Sequence, residues 1–166
     1  MRIMTFNLLG SDENGSARIP YIINIVESYA PDVVSFQECN AAQFNGTVSS
    51  LKKQGYAVAT TYHPGTNTYV YTPILYHKDS VKLIKSGAEF LDKRYTKTNT
   101  KALEWAVFEL LDTGNIFAVI NIHGALWSSN NYTLPEGKTD ADMIAEAVFW
   151  REDNIRQVHD HMVSIF

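Results

Sequence analysis

The chain has little cysteine: Cys39 is the one thiol in 166 residues. That excludes an internal disulfide and a cysteine-built zinc cluster, and it fits a reducing compartment. Its place beside Glu38 points to packing rather than chemistry. Also missing is any apolar run near the ~18 residues that a membrane-spanning helix needs. The amino terminus starts on the alternating segment Ile3-Met4-Thr5-Phe6 rather than on a charged region leading into a long apolar stretch, so no signal peptide is expected and the location is expected to be cytoplasmic. There is no basic excess either. With 14 Lys+Arg against 18 Asp+Glu the net charge is −4, and no overall field draws in a polyanion. Phosphate binding, if present, must be local. No internal repeat, low-complexity tract or linker interrupts the chain. What is present is 45% hydrophobic residues, enough for one domain, or part of one, with a real core and too little for two.

The stretch Pro31–Asn40 organises the rest. Its apolar run Val33–Phe36 reads as a short buried strand that stops on Gln37-Glu38, placing a carboxylate at the strand's carboxyl end, where ligands of open α/β sheets bind. Glu38 is therefore a candidate metal ligand, the alternative being a rim carboxylate paired with a neighbour. Upstream, Arg2–Leu9 reads as a strand carrying Asn7 near its end. Ser16–Tyr29 reads as a helix, with Ile19, Ile22, Ile23, Val26 and Tyr29 at helical spacing, Ser16 as cap and Pro31 closing it. Strand, crossover helix and strand favour a parallel pair, which puts Asn7 and Glu38 on one rim.

Ala41–Gln54 is a weaker helix ended by Gly55, and Tyr56–Tyr62 is β-rich. Consecutive strands follow at Tyr71–His77, Val81–Leu91, Leu103–Leu111 and Ile116–His123. Asp112-Thr113-Gly114-Asn115 forms a hairpin connection between the last two, with Gly114 available for a positive φ. The last strand is almost continuously apolar and is expected to be central, delivering His123 at its end. Gly124–Lys138 is a loop. Thr139–Phe166 is helical, with Ile144, Val148, Ile155, Val158, Met162 and Ile165 on one stripe. His159 and His161 sit two apart in that helix, where residues do not share a face, so they are not read as metal ligands.

Five motifs occur in one order: Met4-Thr5-Phe6-Asn7; Pro31-Asp32-Val33-Val34-Ser35-Phe36-Gln37-Glu38; Thr72-Pro73-Ile74-Leu75-Tyr76; Lys101-Ala102-Leu103-Glu104-Trp105-Ala106-Val107-Phe108; and Val119-Ile120-Asn121-Ile122-His123. In this register the chain resembles the amino-terminal portion of the endonuclease/exonuclease/phosphatase superfamily. That group includes pancreatic-type deoxyribonucleases, apurinic endonucleases, sphingomyelinases and inositol polyphosphate 5-phosphatases. The resemblance implies a deoxyribonuclease I-like α/β (α+β) fold, a two-sheet β-sandwich flanked by helices. Residues 1–166 would form a partial domain and supply the amino-terminal layer. An exposed inner face would then call for a second copy or a complementing carboxyl-terminal half.

The same resemblance implies a Mg²⁺- or Mn²⁺-dependent phosphoesterase. Glu38 would be the metal ligand, Asn7 would position metal or phosphate, and His123 would support charge at the scissile phosphate. Lys101 stands where many relatives have arginine before the tryptophan, which trades a bidentate fork for a point charge. Within the basic segment Lys93–Lys101, Lys101 and Arg94 are the candidate phosphate contacts. The family's later Gly-Asp-Phe-Asn-like and Ser-Asp-His-like segments have no counterpart in this sequence. The expectation is a phosphoesterase half that is inactive alone, the alternative being a non-catalytic binding or assembly module. The substrate is a phosphate ester, with nucleic acid among the candidates.

Overall fold

The computed structural model describes residues 1–10, 15–60, 72–90, 102–124 and 134–165. The elements run β1 (Ile3–Asn7), a 3₁₀ turn (Gly15–Arg18), α1 (Ile19–Tyr29), β2 (Val33–Gln37), α2 (Ala41–Lys53), β3 (Tyr56–Val58), β4 (Ile74–His77), β5 (Val81–Phe90), β6 (Ala102–Leu110), β7 (Ile116–Ile122) and α3 (Asp140–Ile165). They form an α/β structure with one sheet in the order β1-β2-β4-β3 and a second in the order β5-β6-β7.

The β1-α1-β2 unit is parallel as the sequence predicts, with Asn7 opposite Gln37. Ser16 falls in the 3₁₀ turn rather than capping α1, whose first turn instead carries Pro20, a residue preset for that position. α1 stops where Ala30 turns left-handed at φ 42 and its N–H reaches the Val26 carbonyl. Ile22 and Val26 are buried. Tyr29 is not: it is exposed at the last helical position, where the chain is already turning toward β2. Strand alternation in β2 sends Val34 and Phe36 into a core shared with α1 and α2, including Ile22, Val26, Val48 and Leu51. Val33 faces the opposite way, into a second core.

That second core differs from the sequence reading. Val33 and Ile74 from the first sheet meet Val81, Ala106, Phe108 and Val119 from the second. The chain therefore contributes strands to both layers of a sandwich rather than to one. Consecutive strands β5, β6 and β7 pair antiparallel into a sheet of their own, and apolar residues far apart in the chain pack the two sheets against each other. The β6–β7 connection closes as expected, with Gly114 at φ 73 and its N–H donating to the Leu110 carbonyl. Within the second sheet, however, β6 is central. β7 lies at the edge among the described residues, with Val119 and Asn121 buried on one face and Ile116 exposed at its start.

α3 begins with Thr139 and Asp142 exchanging hydrogen bonds in a capping pair. It buries Met143, Ala147 and Asn154, with His161 packed on the Trp105 ring and 3.0 Å from Glu89. Each of these precedes by one residue a member of the expected stripe. Ile144, Val148, Ile155 and Met162 consequently lie about 100° away around the helix and are exposed. No described helix is long and apolar enough to cross a membrane.

Candidate functional site

Because β1 and β2 are parallel, their carboxyl ends deliver Asn7 and Glu38 to one rim, and the end of β7 brings His123 there from the other sheet. Glu38 leaves β2 with φ 52, a left-handed conformation that costs a non-glycine residue roughly 1–2 kcal/mol. Neighbouring backbone holds it. The Leu8 N–H donates to the Gln37 carbonyl at 2.9 Å. Asn40, which caps α2 in a reciprocal pair with Gln43, donates through Nδ2 to the Gly10 carbonyl at 2.9 Å. Gln43 Nε2 donates to the Leu8 carbonyl at 3.0 Å. A side chain at Gly10 would place its Cβ 1.9 Å from the Glu38 carbonyl oxygen. Gly10→Ala is thus expected to push the Glu38 turn aside and to lower stability by about 1–3 kcal/mol, measurable by urea denaturation.

At the rim, Asn7 Nδ2 donates to Glu38 Oε1 at 3.0 Å, while Asn7 Oδ1 accepts from the Leu9 N–H at 2.9 Å. His123 Nε2 lies 3.4 Å from the same Glu38 oxygen. The Glu38 and His123 side chains are 18% and 25% exposed, sheltered yet open to solvent on one side. Three of the residues singled out in the sequence are therefore assembled around one carboxylate. Lys101 and Arg94 lie outside the described residues. The Cys39 thiol is buried and pushed up to about 12 by that burial, which makes it an inert packing group.

Beneath the rim lies a polar network that motif reading did not reveal. Asn121, buried in β7, donates through Nδ2 to the Phe36 carbonyl at 2.6 Å and to the Thr72 carbonyl at 2.9 Å. Its Oδ1 accepts from Gln37 Nε2 at 2.7 Å, and Gln37 Nε2 also meets Thr5 Oγ1 at 3.0 Å. The Thr72 hydroxyl in turn pairs with Glu104, which is fully buried and directly opposite Asn121 in the β6–β7 register. Burial raises the Glu104 carboxyl to about 9, so it is a neutral acid at physiological pH. One signal was available in the sequence: two-residue alternation puts Glu104 on the inward face with Ala106 and Phe108.

No cluster of three or more His, Cys, Asp or Glu side chains exists among the described residues, so a protein-built cage is not what they form. A single sheltered carboxylate beside amide groups does fit Mg²⁺, which keeps several waters and needs one or two carboxylates plus substrate phosphate.

No sequence-family model matches the chain, and no curated protein matches it by sequence. Solved structures do match by fold. An endonuclease/exonuclease/phosphatase family protein from Bacteroides thetaiotaomicron superposes with a TM-score of 0.64 at 22% identity, over 75% of this chain and 51% of that one. The mannosyl-6-phosphatase of Bacteroides thetaiotaomicron VPI-5482 gives 0.65 at 19% identity, over 95% and 60%. D. rerio TDP2 complexed with single-strand DNA product gives 0.60 at 24% identity, over 77% and 47%. The chain spans about half the length of the structures it matches. Over that span it has the deoxyribonuclease I-like fold of the endonuclease/exonuclease/phosphatase proteins.

Proposed function

We propose that this chain carries the Glu38 side of a divalent-metal-dependent phosphoesterase site. The observation that supports the reading most is the convergence of Asn7, Glu38 and His123 on one carboxylate at one rim of this fold. In the reaction, a water oxygen bonds to phosphorus as the bond to the leaving oxygen breaks, and a proton passes to that leaving oxygen. Glu38 would hold a Mg²⁺ or Mn²⁺ ion, which when bound would neutralise charge on the phosphate oxygens. Asn7 keeps the carboxylate oriented and offers its amide to the phosphate edge, and His123 stabilises the charge that develops. Lys101 and Arg94 are proposed as further phosphate contacts, and residues 1–166 as a partial domain that the family's other half completes. The substrate class is a phosphate ester; the phosphatase and DNA-bound neighbours support both small and nucleic-acid esters.

Two measurements test this. Mn²⁺ binding followed by electron paramagnetic resonance is expected for the chain and is expected to be lost in Glu38→Ala. Hydrolysis of bis-p-nitrophenyl phosphate by the chain alone is expected not to exceed that of Glu38→Ala, because the segments carrying the family's water-activating aspartate and second histidine have no counterpart here. Glu38-independent Mn²⁺ binding would overturn the metal assignment in favour of an assembly module. Metal-dependent turnover abolished by Glu38→Ala would show instead that the chain is competent by itself.

A further inference from the structure

We infer that Asn121 is a positioning residue, the clip that sets the Glu38–His123 distance across the two sheets; this rests on the site reading above. Glu38 and His123 stand on different sheets, so nothing in either sheet's own ladder fixes their separation. Asn121 links them. It lies two residues before His123 on β7, and its amide donates to the carbonyl of Phe36, two residues before Glu38. The same amide donates to Thr72, which leads into β4. Its carbonyl accepts from Gln37, the residue directly before Glu38.

Three of the four hydrogen bonds that an asparagine amide offers are thus used, all on segments of the first sheet. At 3% exposure they are shielded from competing water. Apolar packing between the sheets tolerates small sliding, since dispersion contacts are non-directional. Directional amide bonds do not, and these stand within two residues of both members of the pair. Thr72 and Glu104 extend the clip into β6.

The test reads the His123 imidazole by long-range ¹H–¹⁵N NMR at fixed pH, independently of turnover. Glu38→Gln defines the spectrum of His123 without its carboxylate. Asn121→Ala is expected to move the His123 Nε2 signal at least half-way from the wild-type to the Glu38→Gln position. Val119→Ala, a truncation in the core between the sheets that removes none of these hydrogen bonds, is expected to lower the melting temperature while leaving the signal in place. If Asn121→Ala does not fold, Gln37→Met removes one arm of the clip and is expected to move the signal in the same direction by less. An unmoved His123 signal in a folded Asn121→Ala, or in Gln37→Met where that variant stands in, alongside a shifted one in Glu38→Gln, overturns the proposal alone. An unmoved signal in Glu38→Gln overturns the site reading and the proposal together.

Discussion

Glu104→Gln is expected to leave stability near pH 4.5 almost unchanged and to raise it by several kcal/mol, as an order of magnitude, by pH 9. The carboxyl ionises near 4.5 when the chain is unfolded and at about 9 when folded, because burial in the sandwich penalises the anion. Folded protein therefore holds this proton across a window in which unfolded protein has lost it. The stabilising contribution is complete below pH 4.5, declines as pH rises, and is gone once pH passes the folded value. Each pH unit in the window removes up to about 1.4 kcal/mol. Glutamine keeps a hydrogen-bonding partner for Thr72 and has no proton to lose. Urea midpoints of the two proteins at pH 5, 7 and 8.5 check this. Parallel pH profiles would mean that Glu104 is solvated, in which case the clip does not extend into β6.

The second large effect is Phe108→Ala, expected to cost about 3–5 kcal/mol in urea denaturation. Phe108 is completely buried, with its ring centroid 5.4 Å from Tyr76 on the first sheet and 5.5 Å from Phe117 on the second. Truncation opens a cavity where the two sheets meet, and the loss is a large share of the roughly 5–15 kcal/mol by which a domain is stable. Ile144→Ala is the internal contrast. Ile144 is 54% exposed on α3, and its loss is expected to change stability by no more than about 0.5 kcal/mol. Equal costs at the two positions would mean that α3 packs on its Ile144 stripe, the orientation that the spacing alone suggests.

That contrast marks where sequence reasoning succeeds and where it stops. Strands, helices and the β6–β7 hairpin were legible because periodicity and turn chemistry are local. The same locality carried Asn7 and Glu38 to one rim, since a short right-handed crossover leaves a parallel pair little choice. The α3 stripe failed because two neighbouring helical faces both repeat at helical spacing, and which of them is buried was settled by tertiary packing, as in the contacts of His161 with Trp105 and Glu89. Tyr29 failed similarly at a helix end. His77 likewise meets the Gln54 carbonyl at 3.0 Å and stands T-shaped to the Tyr56 ring, contacts that strand spacing does not announce.

By itself, then, the sequence determined the elements, the order of the motifs and the three rim residues Asn7, Glu38 and His123. Each is set by neighbours along the chain or by a strand ending where its apolar run ends. Only the tertiary structure decided that the chain builds part of both layers, that His123 stands 3.4 Å from Glu38, and that Asn121 and Glu104 lie buried between them. The physical reason is that these features depend on how one sheet rests on another. That contact is made by residues tens of positions apart, and no period in the sequence encodes it.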